Sequence, residues 1–473
     1  MKNRTTILIK NTFILGLGQF LPKIVALITL PILTLALTTS EYGIYDLILT
    51  AEGIALPLMT LQIQQAIFRK LLQASKEKTD IIINSACTFL AILFTIWCPI
   101  IIGILVYIVK ISFSTTLIIF FVYLCASIYD VLGQTVRGLG YNFKYSIGIV
   151  IYASLNMIGL VLIYYLYQVS IINVFVCSII SYIFSCGYYL FAGKIYKHIQ
   201  KIKIDNDIIK ELLLYALPII PSSVSLWIVN LSDRFFITIF LGTSLNGIYS
   251  VANKIPNLCA SVYSVFNLAW TETAARVMDK DSDANEYYSI MFDVMFRFLS
   301  GAMLLLISFS PLLFRILINE QFDDAFQQMP LLFIGVFFNC IVSFYGGIYV
   351  AMQQTRQVGI SAIVGALLNA VINVVFIQYL GLYAASLSTI ISFAIIALYR
   401  GCEIRKYITI KYNIVTIVLC LFSLTIFCVL CSCRNTVLNF SMFVIALIWN
   451  TLFNRKIIFS IMQKLGIKMG LSY

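Results

Sequence analysis

The chain is poor in charge and carries a single histidine, His198. Only 11% of its 473 residues are Asp, Glu, Lys or Arg, where a soluble domain carries about 25%. With 61% hydrophobic residues and a mean hydropathy of +0.97, the composition excludes an ordinary soluble globular protein. One histidine rules out an HExxH metal site, and no GxxxxGK[ST] phosphate loop occurs. Segments between the apolar runs are too short to hold a soluble catalytic domain, so no enzyme activity is expected. The twelve cysteines have no histidine partners at metal-ligand spacing and lie mostly within apolar runs. They read as small packing residues, and neither a metal nor a cofactor is expected. Lys and Arg outnumber Asp and Glu by 32 to 20, yet the bases cluster in short gaps between apolar runs, so no nucleic-acid partner follows.

What the sequence does contain is membrane-spanning text. Apolar runs of spanning length lie near 12–37, 43–66, 81–109, 113–136, 145–167, 171–192, 212–241, 244–269, 288–318, 329–352, 358–379, 382–399, 412–432 and 436–453. The fold class is therefore an all-α polytopic membrane protein of about 14 transmembrane helices. Of the 32 bases, 25 fall in one alternating set of segments that includes both termini, and only Lys110, Arg315 and Arg434 fall in the other. That bias predicts a multi-pass membrane protein with both termini cytoplasmic. His198 lies in the basic linker 193–210 and reads as solvated.

A repeat organises the spans. Thr39-Ser40-x-x-Gly43-Ile44-Tyr45 recurs as Thr243-Ser244-x-x-Gly247-Ile248-Tyr249, and Ser154-Leu155-Asn156 is echoed by Leu367-Leu368-Asn369. Six spans separate the copies, so both halves point the same way. The expected architecture is two six-helix lobes, 1–200 and 201–406, related by a parallel repeat about the membrane normal and facing a central cavity. An extra helix pair and tail follow at 407–473. Prolines fall at corresponding spans, Pro22 and Pro31 against Pro218 and Pro221, and Pro57 against Pro256, which predicts hinges lining a transport path.

Charges inside the spans mark the candidate site, since each costs about 2.5–3.5 kcal/mol to insert at the bilayer centre. Arg234 and Lys254 flank Ser244 symmetrically and should lie at one depth near the midplane, a seat for an anion, with Asp233 the one compensating acid. Lys23 and Arg297 are the other span cations, and Asp293 stands four residues before Arg297 in the orientation of an intrahelical pair. A polar stripe that includes Asn246, Ser250, Asn253 and Asn257 should face a cavity or another helix. The acids Asp46 and Glu52, with Asp233, are candidates to bind a coupling H⁺ or Na⁺. Asp130 and Arg137 read as a pair at the membrane interface.

The openings NTFILGLGQFLPKIVALITLPILTLALTTSEYGIYDL and LPIIPSSVSLWIVNLSDRFFITIFLGTSLNGIYSVANKIPN, with the six-plus-six-plus-two plan, resemble the polysaccharide flippases of the multidrug/oligosaccharidyl-lipid/polysaccharide exporter superfamily, in particular O-antigen (Wzx-type) translocases. That resemblance implies an alternating-access carrier that moves undecaprenyl-pyrophosphate-linked oligosaccharide from the inner to the outer leaflet with ion coupling. It also implies contact with membrane lipids and with other polysaccharide-assembly proteins. Lys23, Arg234, Lys254 and Arg297 would then meet the pyrophosphate, with Asn253 and Asn257 on sugar hydroxyls. The alternatives are a multidrug/cation antiporter of the same superfamily and a membrane O-antigen polymerase or ligase.

Overall fold

A backbone amide or carbonyl facing lipid has no water to bond, so each apolar run must satisfy its own backbone, and it does so as a helix. The computed structural model describes the backbone of residues 2–108, 112–167, 169–198, 204–280 and 284–455. Side chains are described for most of these, residues 2–17, 19 and 225–231 being among the exceptions. The helices are α1 (Lys2–Ala36), α2 (Thr39–Met59), α3 (Ile63–Leu71), α4 (Lys76–Gly103), α5 (Phe113–Gly138), α6 (Asn142–Leu166), α7 (Ile171–Ala192) and α8 (Asn206–Ala216). They continue as α9 (Ile220–Leu241), α10 (Thr243–Lys280), α11 (Ala284–Leu317), α12 (Ala325–Ala351), α13 (Thr355–Leu380), α14 (Leu382–Ile404), α15 (Ile414–Ser432) and α16 (Thr436–Phe453). No strand occurs among the described residues. Each of the 14 expected runs coincides with one of the longer helices. By length and apolarity ten helices among the described residues qualify to cross a membrane, eleven if the bent α2–α3 pair is one span. The long, polar-striped α10 is not among the ten.

Two runs are broken where the sequence reading had them continuous. The run at 43–66 bends by 62° between α2 and α3. Pro57 cannot donate to the last turn of α2, and Leu61 and Gln62 take left-handed backbone angles that end it. The run at 212–241 divides into α8, a 3₁₀ turn at Leu217–Ile219 and α9. Pro218 lies in that turn and Pro221 in the first turn of α9, where a missing N–H costs nothing, so these two start a helix and do not hinge one. Pro22, Pro31, Pro57 and Pro256 do lie inside helices.

By internal contact the chain divides into two compact units, Met1–Phe235 and Phe236–Tyr473. This grouping differs from the repeat-based boundary at 200 because the linker folds onto the first unit. Ile209, Leu212 and Ala216 of α8 are buried with Ile63, Ile67 and Leu71 of α3 and Ile82, Ile83 and Ala86 of α4. At the rim Lys70 Nζ lies 2.6 Å from Glu211 Oε2, and the Asp205 amide donates to Ser85 Oγ at 3.0 Å. Lys70 beside it holds the Glu211 carboxyl below the usual range. His198 is not merely solvated; it pairs with Asp80 of α4.

Within each unit the repeat recurs as local structure. The TSxxGIY motif begins α2 in one and α10 in the other. Thr38 caps α2 in a reciprocal box with Glu41, and Gly242, at φ +95°, makes the corresponding turn before α10. Asn156 of α6 donates to Ser178 of α7 at 2.9 Å, and Asn369 of α13 donates to Ser388 of α14 at 3.1 Å. An asparagine–serine bond at the corresponding place thus helps tie the fifth and sixth spans of each half. The α15–α16 hairpin docks on α11 through Asn450 Nδ2 to the Gly301 carbonyl at 2.9 Å and Cys431 Sγ to the Ile307 carbonyl at 3.4 Å. Cys431 and the buried Cys177, Cys340, Cys420 and Cys428 serve as packing residues.

Candidate functional site

Beyond its capping Glu41, helix α2 carries two acids six residues apart, Asp46 and Glu52, about 9 Å apart along the axis and about 120° apart around it. They therefore face different neighbours. Asp46, 3% exposed, points to α9, where its Oδ2 lies 2.6 Å from Arg234 Nε. The pair is well shielded, with side-chain exposures of 4% and 15%. Asp233 is thus not the only acid that compensates Arg234. Neighbours on one helix diverge by about 100°, whereas Asp46 comes from another helix and meets the guanidinium across the gap. Thr50 Oγ1 donates to the Asp46 carbonyl at 2.6 Å, and the buried Tyr42, one turn before Asp46, lies within electrostatic reach of both partners.

Glu52 faces α7. Tyr182 Oη donates to its Oε1 at 3.2 Å. The Tyr182 ring stacks on Tyr152 of α6 at 4.3 Å, and Tyr129 of α5 sits 5.3 and 5.5 Å from these two. A second acid, Asp130, lies within electrostatic reach of Glu52, with the side chains of Gln134 and Gln64 beside it. The expected Asp130–Arg137 pair does not form; the Arg137 guanidinium lies over the Phe68 ring, 4.5 Å from its centroid. The tyrosine cage and Asp130 are the functional candidates that sequence reading missed. They lie on three helices with no spacing in common, and the signal that pointed to them is a phenol inside a span, which needs a polar partner.

In the second unit the polar stripe of α10 passes from fully buried Asn246 and Ser250 to exposed Asn257. Asn253 Nδ2 bonds back to the Tyr249 carbonyl at 3.1 Å, and Lys254 beside it is half-buried. Arg297 pairs with Asp293 on its own helix, as their spacing predicts, and its carbonyl accepts from Asn454. Lys23 of the first unit is exposed on α1. Of the residues singled out in the sequence, the structure brings Asp46 and Arg234 into contact and holds Glu52 apart from them on another face of α2. Among the described residues no group of three or more His, Cys, Asp or Glu side chains is placed to hold a metal ion.

Residues 8–278 match the family model described as polysaccharide biosynthesis protein. No curated protein matches the chain. Among solved structures, the lipid II flippase MurJ in an inward closed conformation superposes with a TM-score of 0.71 at 15% identity, covering 94% of this chain and 100% of that one. An inward-facing multidrug resistance MATE family transporter of the MOP superfamily gives 0.65 at 14% identity, covering 81% and 95%. A MOP superfamily transporter from Pyrococcus furiosus, described as having reversed binding-pocket polarity, gives 0.55 at 13% identity, covering 84% and 95%. At such identities what is shared is the fold.

Proposed function

Because the chain belongs to the polysaccharide biosynthesis protein family, we propose that it is a flippase carrying lipid-linked oligosaccharide across the membrane. The cargo we assign is an undecaprenyl-pyrophosphate-linked O-antigen or related repeat unit. It moves from the cytoplasmic to the outer leaflet of a bacterial inner membrane, with both termini of the protein cytoplasmic. The protein needs no cofactor; an H⁺ or Na⁺ gradient drives it, and other polysaccharide-assembly proteins act before and after it. The MOP fold, shared with a lipid II flippase, supports this reading.

The observation that carries it is the shielded Asp46–Arg234 pair. A guanidinium in a membrane-spanning helix is costly unless an anion faces it, and its planar fork suits phosphate oxygens as well as a carboxylate. When a proton or cation discharges Asp46, Arg234 is left for the pyrophosphate, so binding of the coupling ion and binding of cargo share one base. Lys23 and Lys254 add positive charge, and Asn253 and Asn257 offer amides to sugar hydroxyls. Arg297 is held by Asp293 on its own helix. Glu52 in its tyrosine cage is the second ion-binding candidate, with Asp233 a third.

Export of surface polysaccharide by Arg234→Ala, Lys254→Ala and the double variant, each with a membrane-expression control, tests the assignment. All three should lose export, and full export by the double variant overturns it. The antiporter reading draws on one observation, the carboxylates and phenols gathered around Glu52. It requires the chain to confer resistance to cationic drugs, which the flippase reading does not.

A further inference from the structure

A half-open cavity of about 660 Å³ lies in the second unit, where the first turns of α11 meet the strap 409–413 that leads into α15. Asn285, Glu286, Ser289, Asp293, Lys411 and Asn413 line it. The strap is fixed in place. The Thr409 amide donates to Asn285 Oδ1 at 3.0 Å, the Lys411 amide donates to Ser289 Oγ at 2.9 Å, and the Tyr412 ring meets Phe292 edge-on at 4.9 Å. The cavity is therefore preformed.

Two apolar boundaries place it at headgroup depth. Lipid-facing side chains begin directly after Asn413, with Ile414, Val415 and Val418 71%, 69% and 57% exposed. On the other side, Asn454 at the end of apolar α16 donates to the Arg297 carbonyl, one turn further into the membrane than Asp293. A ligand here would have its polar part in the cavity and an acyl chain on the bare face of α15.

The lining selects the headgroup. Glu286 and Lys411 carry opposite charges, are both exposed to the cavity, and form no ion pair with each other or with any other described residue. Asp293 adds a carboxylate already balanced by Arg297. Both amides are oriented by the backbone: Asn285 Oδ1 accepts from Thr409 and Asn413 Oδ1 accepts from the Thr416 amide at 3.1 Å. Their NH₂ groups remain as donors beside Lys411, which suits a phosphate, while Glu286 with Asp293 suits an ammonium. We infer that this cavity binds the zwitterionic headgroup of an aminophospholipid of the phosphatidylethanolamine type, with the amine on Glu286 and the phosphate on Lys411 and the two amides. An anionic lipid without an amine would leave Glu286 unpaired beside its phosphate and be disfavoured.

Native mass spectrometry of the full, delipidated chain in detergent, titrated with phosphatidylethanolamine, phosphatidylglycerol or water-soluble glycerophosphoethanolamine, tests the site. Phosphatidylethanolamine should bind in preference to phosphatidylglycerol, and Glu286→Gln or Lys411→Gln should each weaken it about threefold to fivefold, as an exposed ionic contact allows. Thermal melts without lipid should be unchanged, since neither side chain holds the fold. Equal binding of the two lipids, or a preference that survives in the Glu286→Gln, Lys411→Gln double variant, overturns the assignment. Competition by glycerophosphoethanolamine at the same concentration as the intact lipid overturns the acyl contact with α15, and a free headgroup becomes the ligand.

Discussion

Asp46 and Arg234 stand 2.6 Å apart although 188 positions separate them in the chain, and their side chains are only 4% and 15% exposed. Breaking such a pair from one side strands a charge in a poorly solvated place, at a cost of about 3 kcal/mol. Arg234→Leu and Asp46→Leu should each lower the melting temperature of the detergent-solubilised protein. The Asp46→Leu, Arg234→Leu double variant should melt above either single, because neither partner of the pair is then stranded. Additive losses in that cycle would mean that the two side chains act independently.

Glu52 and Tyr182 make a second, separable prediction. Glu52→Gln keeps the shape and the hydrogen bond from Tyr182 but removes the ionisable group, so the pH or Na⁺ dependence of export should vanish while the protein still reaches the membrane. Tyr182→Phe removes the donor and leaves the acid, so ion dependence should persist and shift. Loss of dependence in both variants would make Tyr182 more than a positioning residue; unchanged dependence in Glu52→Gln would return the acid to a packing role.

How far the sequence carried depended on whether the physics was local. A span is fixed by its own apolarity, and the start of α2 and of α10 by the TSxxGIY turn, so these were legible residue by residue. The echo of Asn156 in Asn369 was legible too, since an amide inside a span must find a partner on a neighbouring helix. Asp46–Arg234 was not, because nothing in either local stretch names the helix across the gap. The bend after Pro57 and the docking of α8 were missed for a related reason. Both depend on amphipathic pieces, α3 and α8, that straddle the ends of the runs 43–66 and 212–241 and so read as part span and part connecting segment. Asp130 reads as the partner of Arg137 because that base stands seven residues on in the same helix end. Nothing in the local stretch shows that Arg137 turns to the Phe68 ring on another helix.

The paired amides predict unequal costs. Asn156 has one described hydroxyl partner, Ser178, whereas Asn369 reaches Ser388 and Thr389 at 3.1 and 3.4 Å and also accepts from Asn373. Interhelical bonds of this kind are worth about 0.6 kcal/mol each in membranes. Asn369→Ala should therefore destabilise roughly twice as much as Asn156→Ala in thermal unfolding, with the α13–α14 contact loosened first. Equal losses would show that Thr389 and Asn373 contribute nothing to the tie.

The rim contact of α8 predicts a pH dependence. Lys70 lowers the Glu211 carboxyl below its ordinary value, so the contact's contribution is present above the ordinary carboxylate range and fades as pH falls through and below it. Proteolytic cutting between 193 and 206 should rise on acidification. Glu211→Gln should raise cutting at neutral pH and flatten the acid response. An acid response of the same size in that variant would assign the effect to another group, His198–Asp80 being the nearest candidate.

Gly301 of α11 fixes how closely the terminal hairpin approaches. A Cβ there would lie 2.2 Å from Asn450 Oδ1 and under 3 Å from its Cγ and Nδ2, far inside contact distance. Asn450 cannot simply turn away, because its Nδ2 bonds both the Gly301 and Ala446 carbonyls at 2.9 Å and its Oδ1 accepts from Asn454 at 3.2 Å. By helix propensity alone Gly301→Ala should stabilise α11 by about 1 kcal/mol. The clash predicts the opposite sign, a net loss of about 1–3 kcal/mol as α16 is pushed off α11. Asn450→Ala gives up its amide bonds, about 0.6 kcal/mol each, but opens the space that the new methyl needs. In the Gly301→Ala, Asn450→Ala double variant the methyl fits and the propensity gain returns, so it should melt above Gly301→Ala alone. A stabilised Gly301→Ala single variant would show that the hairpin does not rest on this contact.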